Sequence, residues 1–117
     1  MPDVPEDPEA FVRGWLDAFN RRDWEAYAGY FAEDVAYLTP GRSAPLVSRQ
    51  AHVDQDQKNA GSGRLEANLV VAGRDGRHIV VEGVFSDDQR RSTWVTVLEL
   101  RQGVIAAERL YFDRRSS

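Results

Sequence analysis

The chain has no cysteine among its 117 residues. That absence excludes disulfides, thiolate nucleophiles, cysteine-based zinc sites and iron–sulfur clusters together. Histidine is nearly as scarce: His52 and His78 are the only two, without the spacing of a metal motif. Asp54, Asp56, Asp87 and Asp88 read as solvated helix and turn acids, so no metal site is expected. Long apolar runs are missing too, and no segment approaches the length of a membrane span. The opening Met-Pro-Asp-Val-Pro-Glu-Asp-Pro lacks the basic and apolar regions of a signal peptide, so the expected compartment is the cytoplasm. An excess of positive charge is also absent. Fifteen Lys and Arg stand against nineteen Asp and Glu, a net charge of −4 with pI near 5.1, which argues against a nucleic-acid partner. Arginine pairs occur at Arg21-Arg22, Arg90-Arg91 and Arg114-Arg115, but acidic neighbours dilute each, and they read as solvated turns and tails. Gly61-Ser62-Gly63 lacks the spacing and lysine of a phosphate loop, and no motif supports a Ser–His–Asp triad. No cofactor is expected.

What remains is one domain's worth of chain, with 42% hydrophobic residues and enough length to fold around a single core. Residues 1–7 read as a flexible lead, 8–113 as the domain and 114–117 as a tail. Asp7 is a good N-cap and Pro8 suits the first helical position. Phe11, Val12, Trp15, Leu16 and Phe19 then recur at helical spacing. Asp23 caps a second helix whose buried face carries Trp24, Tyr27, Ala28 and Phe31. A short strand, Val35 to Thr39, ends at Pro40-Gly41. Ser48 is the expected cap of a third helix reaching about Asn59. That helix is unusually polar: Ala51, Val53 and Ala60 are its only apolar residues. Four strands follow at about 65–72, 78–85, 92–101 and 104–112, separated by turn-forming sequences.

Helices first and a meander after predict an α+β fold with the helices on one face of the sheet. Strand alternation predicts the inward residues. They are Ile79, Val81, Gly83 and Phe85; then Trp94, Thr96, Leu98 and Leu100; then Val104, Ala106, Glu108, Leu110 and Phe112. The outward set contains Val80, Val84, Val95, Val97, Ile105 and Tyr111. So much apolar surface on one face predicts a homodimer through the outer side of the sheet.

Two stretches carry a family resemblance: Phe31-Ala32-Glu33-Asp34-Val35, and Gln102-Gly103-Val104-Ile105 with Glu108-Arg109-Leu110-Tyr111-Phe112-Asp113. Both are similar to signatures of the SnoaL-like group of the nuclear-transport-factor-2-like superfamily, and the likeness covers residues 9–113. The resemblance implies a cone: a curved antiparallel sheet wrapped around three N-terminal helices, with a pocket at the open end. It implies a broad range of activities, because the fold hosts ketosteroid isomerases, epoxide hydrolases, scytalone dehydratases, polyketide cyclases and non-catalytic binding modules. Two of the family's catalytic sets are missing here. The ketosteroid isomerase positions are matched by Trp15, Thr39 and Thr96, none of which supplies the required group. Of the limonene-epoxide hydrolase set, the Arg–Asp pair falls at Gly83 and Phe85 and the second aspartate at Leu110. Its asparagine falls at Thr39, and only the tyrosine survives, at Tyr37.

The residues themselves point first to Glu108, a carboxylate interrupting an apolar inward row. A carboxylate is costly to bury without a partner or a purpose, and burial raises its pKa towards useful proton exchange. The other reading is an ion pair with an arginine at the pocket rim, or an exposed register. His52 lies on the polar third helix in a stripe with Gln55 and Asn59, able to bond a substrate's oxygens, or simply solvated. Tyr37 and Thr39 could offer hydroxyls, with core filling as the alternative for Tyr37. Glu108, His52 and Tyr37 are thus the expected catalytic residues, Tyr37 and His52 orienting the ligand from opposite walls. Trp15, Thr39, Gln55, Asn59, Trp94, Thr96, Leu110 and Phe112 are the expected ligand-binding residues. The expected function is cofactor-independent acid–base catalysis on a small, apolar, oxygenated molecule, such as cyclisation, dehydration, isomerisation or epoxide opening. The alternative is a binding or dimerisation module of the same fold.

Overall fold

The computed structural model describes residues 3–41 and 43–112; the expected tail, 114–117, and Asp113 of the family signature lie outside the described residues. Helix α1 spans Pro8–Asn20, with the Asp7 side chain accepting from the Ala10 N–H. Helix α2 spans Trp24–Ala28 and is capped in the same way by Asp23. Strand β1, Phe31–Leu38, starts four residues before the sequence expectation. Phe31, expected on the second helix, is instead the first residue of that strand. A two-residue strand β2, Leu46–Val47, lies within the expected loop and pairs with β1. Helix α3, Arg49–Ala60, begins where Ser48 accepts from the Ala51 N–H. Strands β3 (Arg64–Ala72), β4 (His78–Ser86), β5 (Arg91–Arg101) and β6 (Val104–Phe112) complete the chain.

The six strands form one sheet in the order β2-β1-β6-β5-β4-β3. Pairing is antiparallel except between β1 and β6, which run parallel. That exception follows from topology. Strand β1 reaches the last strand only after the whole meander is laid down, so no hairpin joins them. The helices lie on the inner face, and Val12, Trp15, Leu16, Phe19, Tyr27 and Phe31 pack with Ile79, Val81, Leu98 and Leu100 in one core.

Register explains which expectations hold. On β4 and β5 the inward rows are as the alternation predicts. On β6 the pairing slips: Ala107 faces Glu99 but Ile105 faces Leu100, leaving Ala106 as the extra residue of a β-bulge. A bulge reverses the faces of everything beyond it. Ile105 is therefore 0% exposed in the core, not on the outer face, and the inward assignment of Val104 and Ala106 is overturned. Past the bulge Glu108, Leu110 and Phe112 keep the predicted side. Val84, expected outside, is also buried within the chain.

Two segments, the expected flexible lead and the Arg21-Arg22 turn, make backbone contacts. The Asp3 and Val4 N–H groups both donate to Gly76 O, while the Gly103 N–H donates to Asp3 O. The lead is thus held between two turns from its third residue. Arg22 is half-buried; its guanidinium donates to Phe19 O, Gly61 O and Gly63 O and joins the α1–α2 turn to the α3–β3 turn.

Gly83 sits opposite Trp94 on the inner face. A Cβ at this position would collide with the Glu66 carbonyl oxygen and the Trp94 ring. Gly83→Ala should therefore destabilise the fold by about 1–3 kcal/mol, the usual cost of overpacking. Urea unfolding measures it, and an unchanged midpoint would contradict the packing described.

Candidate active site

The helices and the inner sheet face enclose one mostly apolar cavity of about 320 Å³, at the lower end of the range for small-molecule sites. Trp15, Leu16 and Phe19 reach it from α1, Tyr27 from α2, and Asp56 and Asn59 from α3. Tyr37, Leu65, Phe85, Trp94, Leu110 and Phe112 come from the strands, with Arg90 and Ser92 beside the β4–β5 turn. Two carboxylates, Asp56 and Glu108, line it as well.

Glu108 is buried, and both of its oxygens accept hydrogen bonds. His52 Nε2 lies 2.9 Å from Oε1 and the Thr96 hydroxyl donates to Oε2 at 2.9 Å. Among the described residues no arginine pairs with Glu108. Its partner is an imidazole from a helix 56 residues earlier in the chain. His52 is 1% exposed and stands behind the cavity wall. Its ring stacks on Tyr37 with centroids 4.1 Å apart and meets Phe31 edge-on at 4.7 Å. Tyr37 and His52 therefore share one wall, which corrects the expectation of opposite walls.

The residue that sequence reasoning missed is Asp56, one turn along α3 from His52. Its side chain is only 17% exposed and Oδ2 is 3.6 Å from His52 Nδ1. The Tyr27 hydroxyl donates to the same oxygen at 2.7 Å. One imidazole thus stands between two cavity-facing carboxylates. The signal was the i, i+4 spacing of His52 and Asp56, which puts both on one helix face. It was obscured because four acids and amides surround Asp56 on a helix polar on every side.

Electrostatics follow from this geometry. Desolvation raises the Asp56 pKa from 3.8 to about 6, with His52 and the Tyr27 hydroxyl pulling downward and Glu108 pushing upward. Burial alone would lower the His52 pKa, but the Glu108 hydrogen bond and the Asp56 and Glu108 charges raise it above its ordinary value. Burial, then the Asp56 and Glu108 charges, push the Tyr27 hydroxyl well above 10.0. Tyr27 is thus a fixed donor to Asp56 at neutral pH.

The remaining expected residues divide. Trp15, Asn59, Trp94, Leu110 and Phe112 line the cavity with Tyr37 and Glu108. Thr96 is fully buried behind the wall and holds Glu108. Thr39 and Gln55 are half-buried and are not among the residues that line the cavity. The i, i+3 step to Gln55 turns away, whereas the i+4 step to Asp56 turns in. Among the described residues, no group of three His, Asp or Glu side chains has the arrangement of a metal site. No described helix is long and apolar enough to cross a membrane.

A family model for the SnoaL-like domain matches residues 12–108. The chain belongs to the SnoaL-like domain family. Its fold is that of the nuclear-transport-factor-2-like superfamily. No curated protein sequence matches it. Among solved structures, a provisionally named ketosteroid isomerase from Kribbella flavida DSM 17836 is similar, with TM-score 0.84 and 26% identity over 100% of this chain and 84% of that one. An M. tuberculosis LEH-like epoxide hydrolase superposes with TM-score 0.72 and 22% identity, covering 93% of this chain and 86% of its own. A provisionally named polyketide cyclase from Xanthomonas campestris pv. campestris gives TM-score 0.68 and 26% identity, over 91% and 90% of the two chains. This SnoaL-like domain thus has neighbours named for isomerase, hydrolase and cyclase chemistry.

The Asp56 shift has a consequence for stability. The folded chain holds the Asp56 proton up to about pH 6, against 3.8 for the ordinary carboxyl. Stability that is fully present below about pH 4 is therefore lost as pH rises through about 6. His52, also raised, acts in the same direction at higher pH. Asp56→Asn keeps an acceptor for Tyr27 but cannot ionise. Its unfolding free energy relative to the parent should rise between pH 4 and 7, measured by urea unfolding at each pH. A difference that stays constant would show that Asp56 does not titrate as described.

Proposed function

We propose that this SnoaL-like domain is an acid–base enzyme that moves a proton on a small, largely apolar, oxygen-bearing molecule. The observation that carries the proposal is the pair of cavity-facing carboxylates linked by one buried imidazole. Glu108, an acceptor at both oxygens, takes a proton from the substrate. Asp56, pushed up to about 6, returns one to a substrate oxygen. Two carboxyl groups in unequal environments are the usual way to divide acid and base roles in one site. Because His52 stands behind the wall, it positions and charges the carboxylates rather than touching the ligand. Apolar walls from Trp15, Phe19, Trp94 and Leu110 exclude water and strengthen these interactions. Isomerisation, dehydration, cyclisation and epoxide opening all need only such a pocket with one or two proton-transfer groups.

A second reading, a non-catalytic binding module, draws on the absent catalytic sets of the relatives. Gly83, Phe85 and Leu110 stand where the hydrolase set is expected, and Gly83 is filled over by the Trp94 ring. Solvent-deuterium incorporation and turnover across a panel of cyclic ketones, enones and epoxides separate the two. Under the enzyme reading Glu108→Gln lowers the rate ~10²–10⁴-fold. Turnover should also decline as pH rises past about 6, a limb that Asp56→Asn removes. Ligand-induced thermal shifts with no turnover of any panel member would favour the binding module.

The proposal includes a second copy of the chain as partner. Cross-strand rows place Leu69, Val71, Val80, Val95, Val97 and Tyr111 on the outer sheet face. Leu69, Val71 and Tyr111 are 51%, 48% and 47% exposed, an apolar area large for a small monomer. Sedimentation equilibrium at micromolar concentration should give a dimer mass, weakened by Val71→Lys. A monomer mass would remove the partner from the proposal.

A further inference from the structure

The cavity is polarised along its length. Strand β5 runs from its mouth to its inner end: Ser92 pairs with Phe85, Trp94 with Phe112, Thr96 with Leu110, and Leu98 with Glu108. From Ser92 to Leu98 the strand advances about 20 Å. Helix α3 follows the same axis, passing His52, then Asp56, then Asn59 on successive turns. Both acids stand at the inner part. Arg90 stands at the mouth and, among the described residues, is the only Lys or Arg on the lining.

Arg90 is presented by a turn that is fixed from within. The Asp87 N–H donates to Arg90 O at 3.0 Å, and Asp87 Oδ1 accepts from the N–H groups of Gln89 and Arg90. One oxygen of the Asp87 carboxylate is thus engaged with backbone amides, while its charge still acts on Arg90. Ser92 and Asn59, both able to donate, share the lining with Arg90. Between the two ends the wall is aromatic and aliphatic. The Trp15 and Trp94 rings form part of it, with their indole N–H groups buried away from the cavity surface.

We infer that the ligand is an amphipathic carboxylic acid, anchored by its carboxylate on Arg90 at the mouth, with its apolar, oxygen-bearing body directed inward. The inference rests on the reading of the inner carboxylates as the reacting end. A carboxylate entering first would meet like charge at Asp56 and Glu108, whereas at the mouth it meets a guanidinium suited to two parallel hydrogen bonds. An anchor remote from the reacting atoms supplies binding energy that orients the substrate. Arg90 is then the specificity-determining residue of the site.

The test uses binding alone, so that it stands apart from turnover. The probes are phenylacetate, 4-phenylbutyrate and 6-phenylhexanoate, each beside its neutral amide, titrated calorimetrically and by quenching of tryptophan fluorescence. The best acid should bind ~10-fold or more tightly than its amide, the size of one charge-assisted hydrogen bond. Added salt should narrow the preference. Arg90→Gln should erase the preference while leaving amide affinity unchanged, and Arg90→Lys should restore part of it. Glu108→Gln should preserve the preference, whatever it does to turnover. Equal binding of acid and amide, an Arg90→Gln variant that keeps the preference, or no binding of any probe at millimolar concentration would each overturn the inference. Loss of the preference with proton transfer intact would remove the carboxylic-acid ligand alone. The preference without proton transfer would leave Arg90 as the anchor of a binding module.

Discussion

The contact between His52 and Glu108 joins the polar helix to the last strand, and much of the interior is arranged around it. Neither group could be buried alone. An isolated imidazolium or carboxylate would lose several kcal/mol of hydration, and only a close partner offsets that loss. The 2.9 Å contact and the Thr96 hydroxyl satisfy both Glu108 oxygens, while His52 stacks on Tyr37 and its Nδ1 has only the Asp56 carboxylate nearby, at 3.6 Å without a hydrogen bond. Such a pair adds little net stability over a well-packed apolar pair. Removing one partner, however, costs about 3–5 kcal/mol, because the other is left uncompensated. Its value lies in specification: it fixes where α3 sits and which face of β6 looks inward.

That contact also explains why α3 carries so few apolar residues. A helix ordinarily docks through an apolar stripe, but this one buries only His52, Val53 and Ala60. Its attachment is largely polar: His52 to Glu108, Asp56 to Tyr27, and Arg49 towards Phe31 O and Glu33. The polar wall thereby becomes both a structural seam and the charged end of the cavity. Asp56, drawn into the wall by the same docking, acquires its raised pKa through desolvation rather than through sequence neighbours.

Much of the fold was legible from local chemistry. Asp7, Asp23 and Ser48 cap the three helices as their residue types suggest, and the strand limits on β3–β6 fall within a residue of the periodicity. Glu108 was legible as an inward carboxylate because Leu110 and Phe112, which follow it at alternate positions, share its side. Ile105 was not, because the Ala106 bulge leaves no mark in composition and inverts the faces beyond it. Asp56 was hidden for a different reason: on a helix polar all round, no periodicity distinguishes the inward acid from Asp54, which is exposed.

By itself, then, the sequence determined the order of the three helices and five of the six strands, the α+β class, the family and one buried carboxylate. These depend on caps, turns and alternation, interactions between residues a few positions apart. Only the tertiary structure decided that Glu108 meets His52 across 56 residues, that Asp56 joins them, and that Arg90 stands at the other end of the same cavity. Those relations depend on how strands register and on where a helix docks. Both are set by the packing of the whole chain, which no local window of residues encodes.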